Sequence, residues 1–399
     1  MIGLGKLRMS VPLGFSHRFS FSSMSLKPLV DVHTHVYLPR YAAWLRSRSV
    51  APKIMSAEGG EERLLILENE PSGGRPVGPQ YWDRKEKLRF MDLHGIDISF
   101  VSTANPWLDF LSAADAHELT LGLNNDLEEY CSTGPSYSDS VLKRLYGLGL
   151  LPLVPGITVE AIVEAVNQIA AAPHLKGLIM GTKGIGKGLD DEALDPVWQA
   201  IEAASLVVFL HPHYGVDSNA WGDKDNGHVL PLALGFPFET ATATARLILS
   251  GVFDRFPSLR ILLAHSGGAL PQLSSRLASC IDHDPVVASR LKHDARFYLG
   301  KLYFDAVAYG PEELGFVSEV VSRSKRFETG STIKGEADRR EGSQRMLFGT
   351  DHPFFPPLTS TEKWKSVVEN LEAIASVPGW GESEKDGVRG GNALSLFGL

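Results

Sequence analysis

Cysteine is almost missing from this chain: Cys131 and Cys280 are the only two in 399 residues. Both stand in apolar, helical-looking surroundings, so the expectation is two buried thiols in a reducing compartment and no disulfide. Long apolar runs are missing as well. None approaches the roughly 18 residues that span a bilayer, so a membrane is not expected as a partner. Positive charge is not in excess. The 39 Lys and Arg against 47 Asp and Glu leave a formal net charge of -8, without the basic face of a nucleic-acid binder. A dinucleotide fingerprint is missing too: no Gly-x-Gly-x-x-Gly follows the first strand. Gly184-Ile185-Gly186-Lys187-Gly188 lacks the Gly-Lys-Ser/Thr of a phosphate loop and reads as a flexible turn.

Acidic residues are absent from residues 1–27, which carry Lys6, Arg8, Arg18 and Lys27 among serines. A disordered tail is expected there, or an upstream start with Met24 as the working one. A weak mitochondrial transit peptide is the competing reading. Residues 28–399 are expected to form one cytoplasmic domain.

What the chain does have is a recurring alternation. Apolar runs rich in β-branched residues occur at 28–33, 97–103, 146–153, 176–181, 205–211, 259–265, 301–305 and 346–350. Amphipathic stretches separate them, at 84–95, 113–134, 158–171, 191–204, 238–250 and 311–322. Eight strands alternating with helices predict an α/β fold, a (β/α)8 TIM barrel, rather than a doubly wound open sheet. Two insertions interrupt it. Residues 36–82, after strand one, are rich in Pro and Gly and should line or cover the site. Residues 323–344, before strand eight, are highly charged and should be a solvated or disordered loop.

Barrel enzymes place their chemistry at the C-terminal ends of the strands. Strand one ends in His33 and His35, which share a face because side chains alternate along a strand. Strand five ends in His211, strand six in His265 and strand eight in Asp351. Neutral imidazole is the commonest protein ligand for zinc. Five such residues, each directly after an apolar strand, point to a metal-dependent active site. His213, His228 and His352 lie close in sequence and are expected to support it or the fold. His17, His94, His117, His174, His283 and His293 fall in the tail, helices or turns and receive no role.

These strand ends resemble the signature of the amidohydrolase superfamily, in its decarboxylase branch. Asp-Val-His-Thr-His, Phe-Leu-His-Pro-His-Tyr-Gly, Leu-Ala-His-Ser-Gly-Gly and Phe-Gly-Thr-Asp-His-Pro-Phe follow one another in family order. Longer stretches are similar to the fungal uracil-5-carboxylate (isoorotate) decarboxylases: Ala104 to Trp107, Gly184 to Asp191, Val208 to Gly215, His228 to Pro237 and Asp351 to Pro357. More distantly, the chain resembles 2-amino-3-carboxymuconate-6-semialdehyde decarboxylase. That family carries an aromatic residue where this chain has His213, which weakens the muconate reading.

The resemblance implies one zinc ion held by His33, His35, His211 and Asp351. Binuclear relatives place a bridging lysine or glutamate at the end of strand four, where this chain reads Leu178-Ile179-Met180-Gly181, with Lys183 two residues further on. It further implies Asp351 as proton donor, His265 as its support, and Arg75, Asn105 and Phe354 as substrate-binding residues. The expected reaction converts uracil-5-carboxylate to uracil and carbon dioxide, a step of pyrimidine salvage, and the resemblance implies a homodimer. A zinc hydrolase of a cyclic amide or lactone would use the same ligands. A zinc-binding barrel without catalysis is the third reading.

Overall fold

The computed structural model describes residues 27–399 apart from 58, 69–72, 139, 217–220, 225, 358 and 360–361. The expected tail falls almost wholly within residues 1–26, outside the described residues. In chain order the strands are β1 (Val30–Val36), β2 (Lys53–Ser56), β3 (Glu62–Leu65), β4 (Arg75–Val77), β5 (Ile98–Thr103), β6 (Leu145–Leu150), β7 (Leu175–Met180), β8 (Val207–Leu210), β9 (Arg260–Leu263), β10 (Tyr303–Asp305) and β11 (Met346–Leu347).

Eight of them form a parallel sheet in the order β1-β5-β6-β7-β8-β9-β10-β11. Backbone bonds bring its two ends together: Val32 N–H donates to Phe348 O at 3.0 Å, and His35 N–H to His352 O at 2.7 Å. The result is the expected (β/α)8 barrel. Every residue of β1, β5, β6 and β8 is buried, because side chains fill the barrel on one face and meet helices on the other. Val32, Phe100, Leu148 and Phe209 pack inside the barrel. Leu178, Val208, Ile261 and Phe348 face the helices. Each such side chain contributes about 1.5–3 kcal/mol of burial free energy.

The helix at Arg84–His94 shows how the sequence builds the outer layer. The Asp83 carboxylate accepts from Lys85 N–H at its start, and Gly95, at φ 69°, ends it. A cap of this kind stabilises a helix by about 1 kcal/mol, and glycine takes the left-handed conformation without a Cβ penalty. Lys87, Phe90, Met91 and His94 form its buried face, at the helical spacing of i, i+3, i+4 and i+7.

Residues 36–82, expected to line or cover the site, hold a helix at Pro39–Arg46 and the antiparallel sheet β2-β3-β4. The structure differs from the sequence expectations in two places. Residues 323–344 carry a helix at Arg339–Ser343, whose Gly342 and Ser343 are buried. Ser318 Oγ–H and Trp380 Nε1–H both donate to the Arg339 carbonyl there. Glycine makes this close packing possible, since a Cβ on Gly342 would meet the Ser318 backbone. Cys131 is buried but Cys280 is exposed; its helix turns that position to solvent. Among the described residues no helix is long and apolar enough to cross a membrane.

Candidate metal centre and active site

The strand ends meet at one mouth. β1 carries His33 and His35 on one face, and their Nε2 atoms lie 3.1 Å apart. Asp351 follows β11 and reaches between them, its Oδ1 3.2 Å from His33 Nε2 and 3.4 Å from His35 Nε2. His211, after β8, packs its ring edge-on against both, with centroids at 5.2 and 5.0 Å. His265, after β9, has its Nε2 3.8 Å from Asp351 Oδ2. One donor atom each of His33, His211, His265 and Asp351 lies within 4.8 Å of the others. All five residues singled out from the sequence are therefore brought together.

The imidazoles differ in how they are held. His33 Nδ1 is 2.6 Å from Asp305 Oδ2, His35 Nδ1 is 3.0 Å from Ser102 Oγ, and His211 Nδ1 is 2.7 Å from the Pro212 carbonyl. Each of these rings is anchored through Nδ1, which leaves Nε2 facing the centre. Anchoring of this kind fixes the tautomer and orientation of a metal ligand. His265 Nδ1 has no hydrogen-bond partner, so its ring is the least constrained of the four.

Electrostatics follow from this crowding. Burial disfavours the charged form of His33, but the Asp351 and Asp305 carboxylates outweigh it and raise its pKa to about 10. Burial lowers His35 to about 4. Burial also holds His211 well below the usual imidazole range, and the neighbouring histidines add to it. Burial alone would raise Asp351, but His33, His265 and His35 hold it well below the usual carboxylate range.

The residues fit a divalent metal ion. His211 Nε2 and Asp351 Oδ1 are both buried and lack hydrogen-bond partners, which is costly unless a cation receives them. Three imidazole nitrogens and one carboxylate are a donor set suited to zinc. At the end of β7, a Cβ on Gly181 would lie 2.5 Å from the Trp107 ring and 2.8 Å from His213 Nδ1. Those rings fill the space beside strand four. Lys183 turns to Asp109 at 3.3 Å and to the Tyr214 ring at 4.2 Å.

The three substrate-binding candidates also meet. Arg75, the first residue of β4, donates from Nη2 to the Asn105 carbonyl at 2.8 Å and to Tyr37 Oη at 2.7 Å. The Phe354 ring lies 4.6 Å from its guanidinium carbon and edge-on to His35 at 5.6 Å. Asn105 is buried and already donates from Nδ2 to the His213 carbonyl at 2.7 Å. Its Oδ1 lies 3.5 Å from Arg75 Nη2.

Sequence reasoning missed Asp305. It ends β10, binds His33, and accepts from the backbone N–H of His265, Ser266 and Val307. The signal was present: an acidic residue closing the seventh strand. Ser102, near the end of β5, was missed for lack of any motif around it, and Trp107, whose ring meets His211 at 5.8 Å, lay in the Ala104–Trp107 stretch without being given a role. His213 does not join the metal cluster. Its Nε2 pairs with Asp109 Oδ1 at 3.0 Å.

Comparison with known proteins agrees with this geometry. Residues 30–325 match the amidohydrolase family profile. The apo form of Metarhizium anisopliae IDCase is 38% identical, with a TM-score of 0.81, over 93% of this chain and 97% of that one. The 2-amino-3-carboxymuconate-6-semialdehyde decarboxylase of Dictyostelium discoideum is 27% identical over 93% of this chain and 91% of its own length. A dihydroxybenzoic acid decarboxylase of Polaromonas sp. JS666, solved with bound manganese and 2-nitroresorcinol, shares the fold. It is 20% identical with a TM-score of 0.64, over 94% and 97% of the two chains.

Proposed function

Because the chain belongs to the amidohydrolase family, in its decarboxylase branch, it is a carboxy-lyase, and we propose that it splits uracil-5-carboxylate into uracil and carbon dioxide without an oxidant. The observation that carries this reading is the wall formed by Arg75, Asn105 and Phe354 directly beside His35. It offers a guanidinium, an amide and an aromatic face to one planar, polar ring. The resemblance to the fungal uracil-5-carboxylate decarboxylases supports it.

Zinc held by His33, His35, His211 and Asp351 supplies, when bound, Lewis acidity toward the substrate carboxylate and the adjacent ring carbonyl. The protein does the rest. Arg75 holds a substrate oxygen, the Asn105 amide pairs with the pyrimidine edge, and Phe354 lies against the ring. Asp351 delivers a proton to C5, which becomes tetrahedral. The bond from C5 to the carboxylate then breaks, and its electron pair restores the ring double bond as carbon dioxide leaves. The neighbours of Asp351 keep it ionised at rest, so its proton arrives through His265, whose Nε2 is 3.8 Å from Asp351 Oδ2 and whose ring is partly open to solvent. The homodimer implied by the resemblance belongs to the same proposal, and sedimentation at assay concentration checks it; a monomer would count against it.

The test is a comparison of kcat/KM on uracil-5-carboxylate, 2-amino-3-carboxymuconate-6-semialdehyde and a cyclic amide, with carbon dioxide and ring-opened product both measured. Carbon dioxide released fastest from the pyrimidine is the expected result. Preference for the muconate semialdehyde would overturn the substrate. Ring opening without carbon dioxide would overturn the reaction and recast Asp351 as a general base. Asn105→Ala should weaken the pyrimidine by about 1–3 kcal/mol, the penalty of leaving buried polar groups unpaired.

A further inference from the structure

Lys87 is 1% exposed, and nothing in the proposed reaction uses it. It sits in the apolar stripe of the helix at Arg84–His94, where a lysine is costly unless every hydrogen of its ammonium is bonded. Three acceptors surround it: Thr34 Oγ1, the His35 carbonyl at 3.3 Å, and His352 Nδ1. The Asp31 carboxylate offsets part of the burial penalty on the ammonium.

These acceptors alternate with the metal-site residues. His33 and His35 face the centre from β1, while Thr34 between them faces Lys87. Asp351 faces the centre from the segment after β11, while His352 beside it faces Lys87. The two backbones are already stitched: His35 N–H and Thr34 Oγ–H both donate to the His352 carbonyl, at 2.7 and 3.0 Å, and Asp351 N–H donates to His33 O at 2.8 Å. Asp351 adopts φ 56°, in the left-handed region that aspartate enters more readily than most side-chain-bearing residues. The His352 ring is fixed on two sides, stacked on Phe90 at 3.7 Å and bonded to Lys87.

We propose that Lys87 is a positioning residue for the metal centre: it buckles β1 to the segment after β11 from behind and so fixes Asp351 against His33 and His35. This rests on the metal-site reading given above. The parent chain is therefore titrated with zinc first. Failure of the parent to bind zinc would overturn that reading as well as this one, whereas unchanged binding in the variants would overturn this one alone.

Lys87→Met keeps the apolar stem and removes the ammonium. His352→Phe keeps the stack on Phe90 and removes only the acceptor. Val166→Ala, in the outer core on the helix at Val159–Ala171, is the control for general loss of stability. Each protein is measured for thermal midpoint, for zinc affinity by chelator competition, and for the visible spectrum of its cobalt-substituted form, which reports ligand geometry. Lys87→Met and His352→Phe should each lose about 10–100-fold in zinc affinity and shift the cobalt spectrum. Val166→Ala should lower the midpoint and leave both unchanged. If Lys87→Met does not fold, His352→Phe decides. Parental affinity and spectrum in either folded variant would overturn the proposal, as would an equal loss in Val166→Ala.

Discussion

Asp305 Oδ2 lies 2.6 Å from His33 Nδ1, and both side chains are fully buried. The same carboxylate accepts from the backbone N–H of His265 and Ser266 at 3.0 and 2.8 Å. One aspartate at the end of β10 thus fixes the ring of His33 and the backbone of His265. A carboxylate behind a histidine ligand holds its ring and raises its basicity. Asp305→Asn should keep a hydrogen bond but lose the charge, with zinc affinity falling about 10–100-fold. Chelator competition measures it; parental affinity would make Asp305 a purely structural anchor.

About one zinc per chain is expected on metal analysis, lost in His211→Ala together with turnover. His33→Ala should lose both as well, but less cleanly. It strands the Asp305 charge in the interior, at a cost of about 3–5 kcal/mol. His211 Nδ1 is held only by a neighbouring carbonyl, so its removal strands no charge. Two tightly bound zinc ions, or full activity with none, would contradict the single-metal centre.

Asp351→Asn should fold and lose turnover, because an amide cannot deliver the proton and binds zinc poorly. Retention of more than about a tenth of the rate, under roughly 1.4 kcal/mol of barrier, would remove Asp351 from the obligatory role. His265→Ala should fall less, since water has access to the same carboxylate oxygen. A larger loss in His265→Ala than in Asp351→Asn would make the histidine the acid.

Asp109 supplies a pH test away from the metal. Burial alone would raise its carboxyl, but His213 and Lys183 lower it to about 2. Its folded pKa lies below the ordinary aspartate value of 3.8. It therefore adds stability above that value, and the addition disappears as pH falls toward 2. Asp109→Asn should cost about 2 kcal/mol at pH 6, and the difference from the parent should shrink between about pH 4 and pH 2. Urea unfolding across that range reads it out. A difference that does not change with pH would mean that Asp109 acts through shape rather than charge.

The sequence by itself determined the barrel and which side chains meet at its mouth. Eight apolar runs had to be buried on both faces, and each needed a helix to return the chain. His33, His35, His211, His265 and Asp351 were legible because each directly follows such a run, and a barrel sends every such end to one mouth. Tertiary structure decided what depends on contacts between distant segments. The pairing of Asp305 with His33 crosses 272 positions, and no local pattern announces it. Lys87 reads as an ordinary helix lysine until the fold surrounds it with Thr34, His35 and His352. The charged composition of 323–344 gave no sign that Gly342 and Ser343 would be buried, because glycine and serine carry little hydrophobic signal and are placed by fit. Sequence records which residues must leave water; which polar groups then satisfy one another is settled only when the strands close.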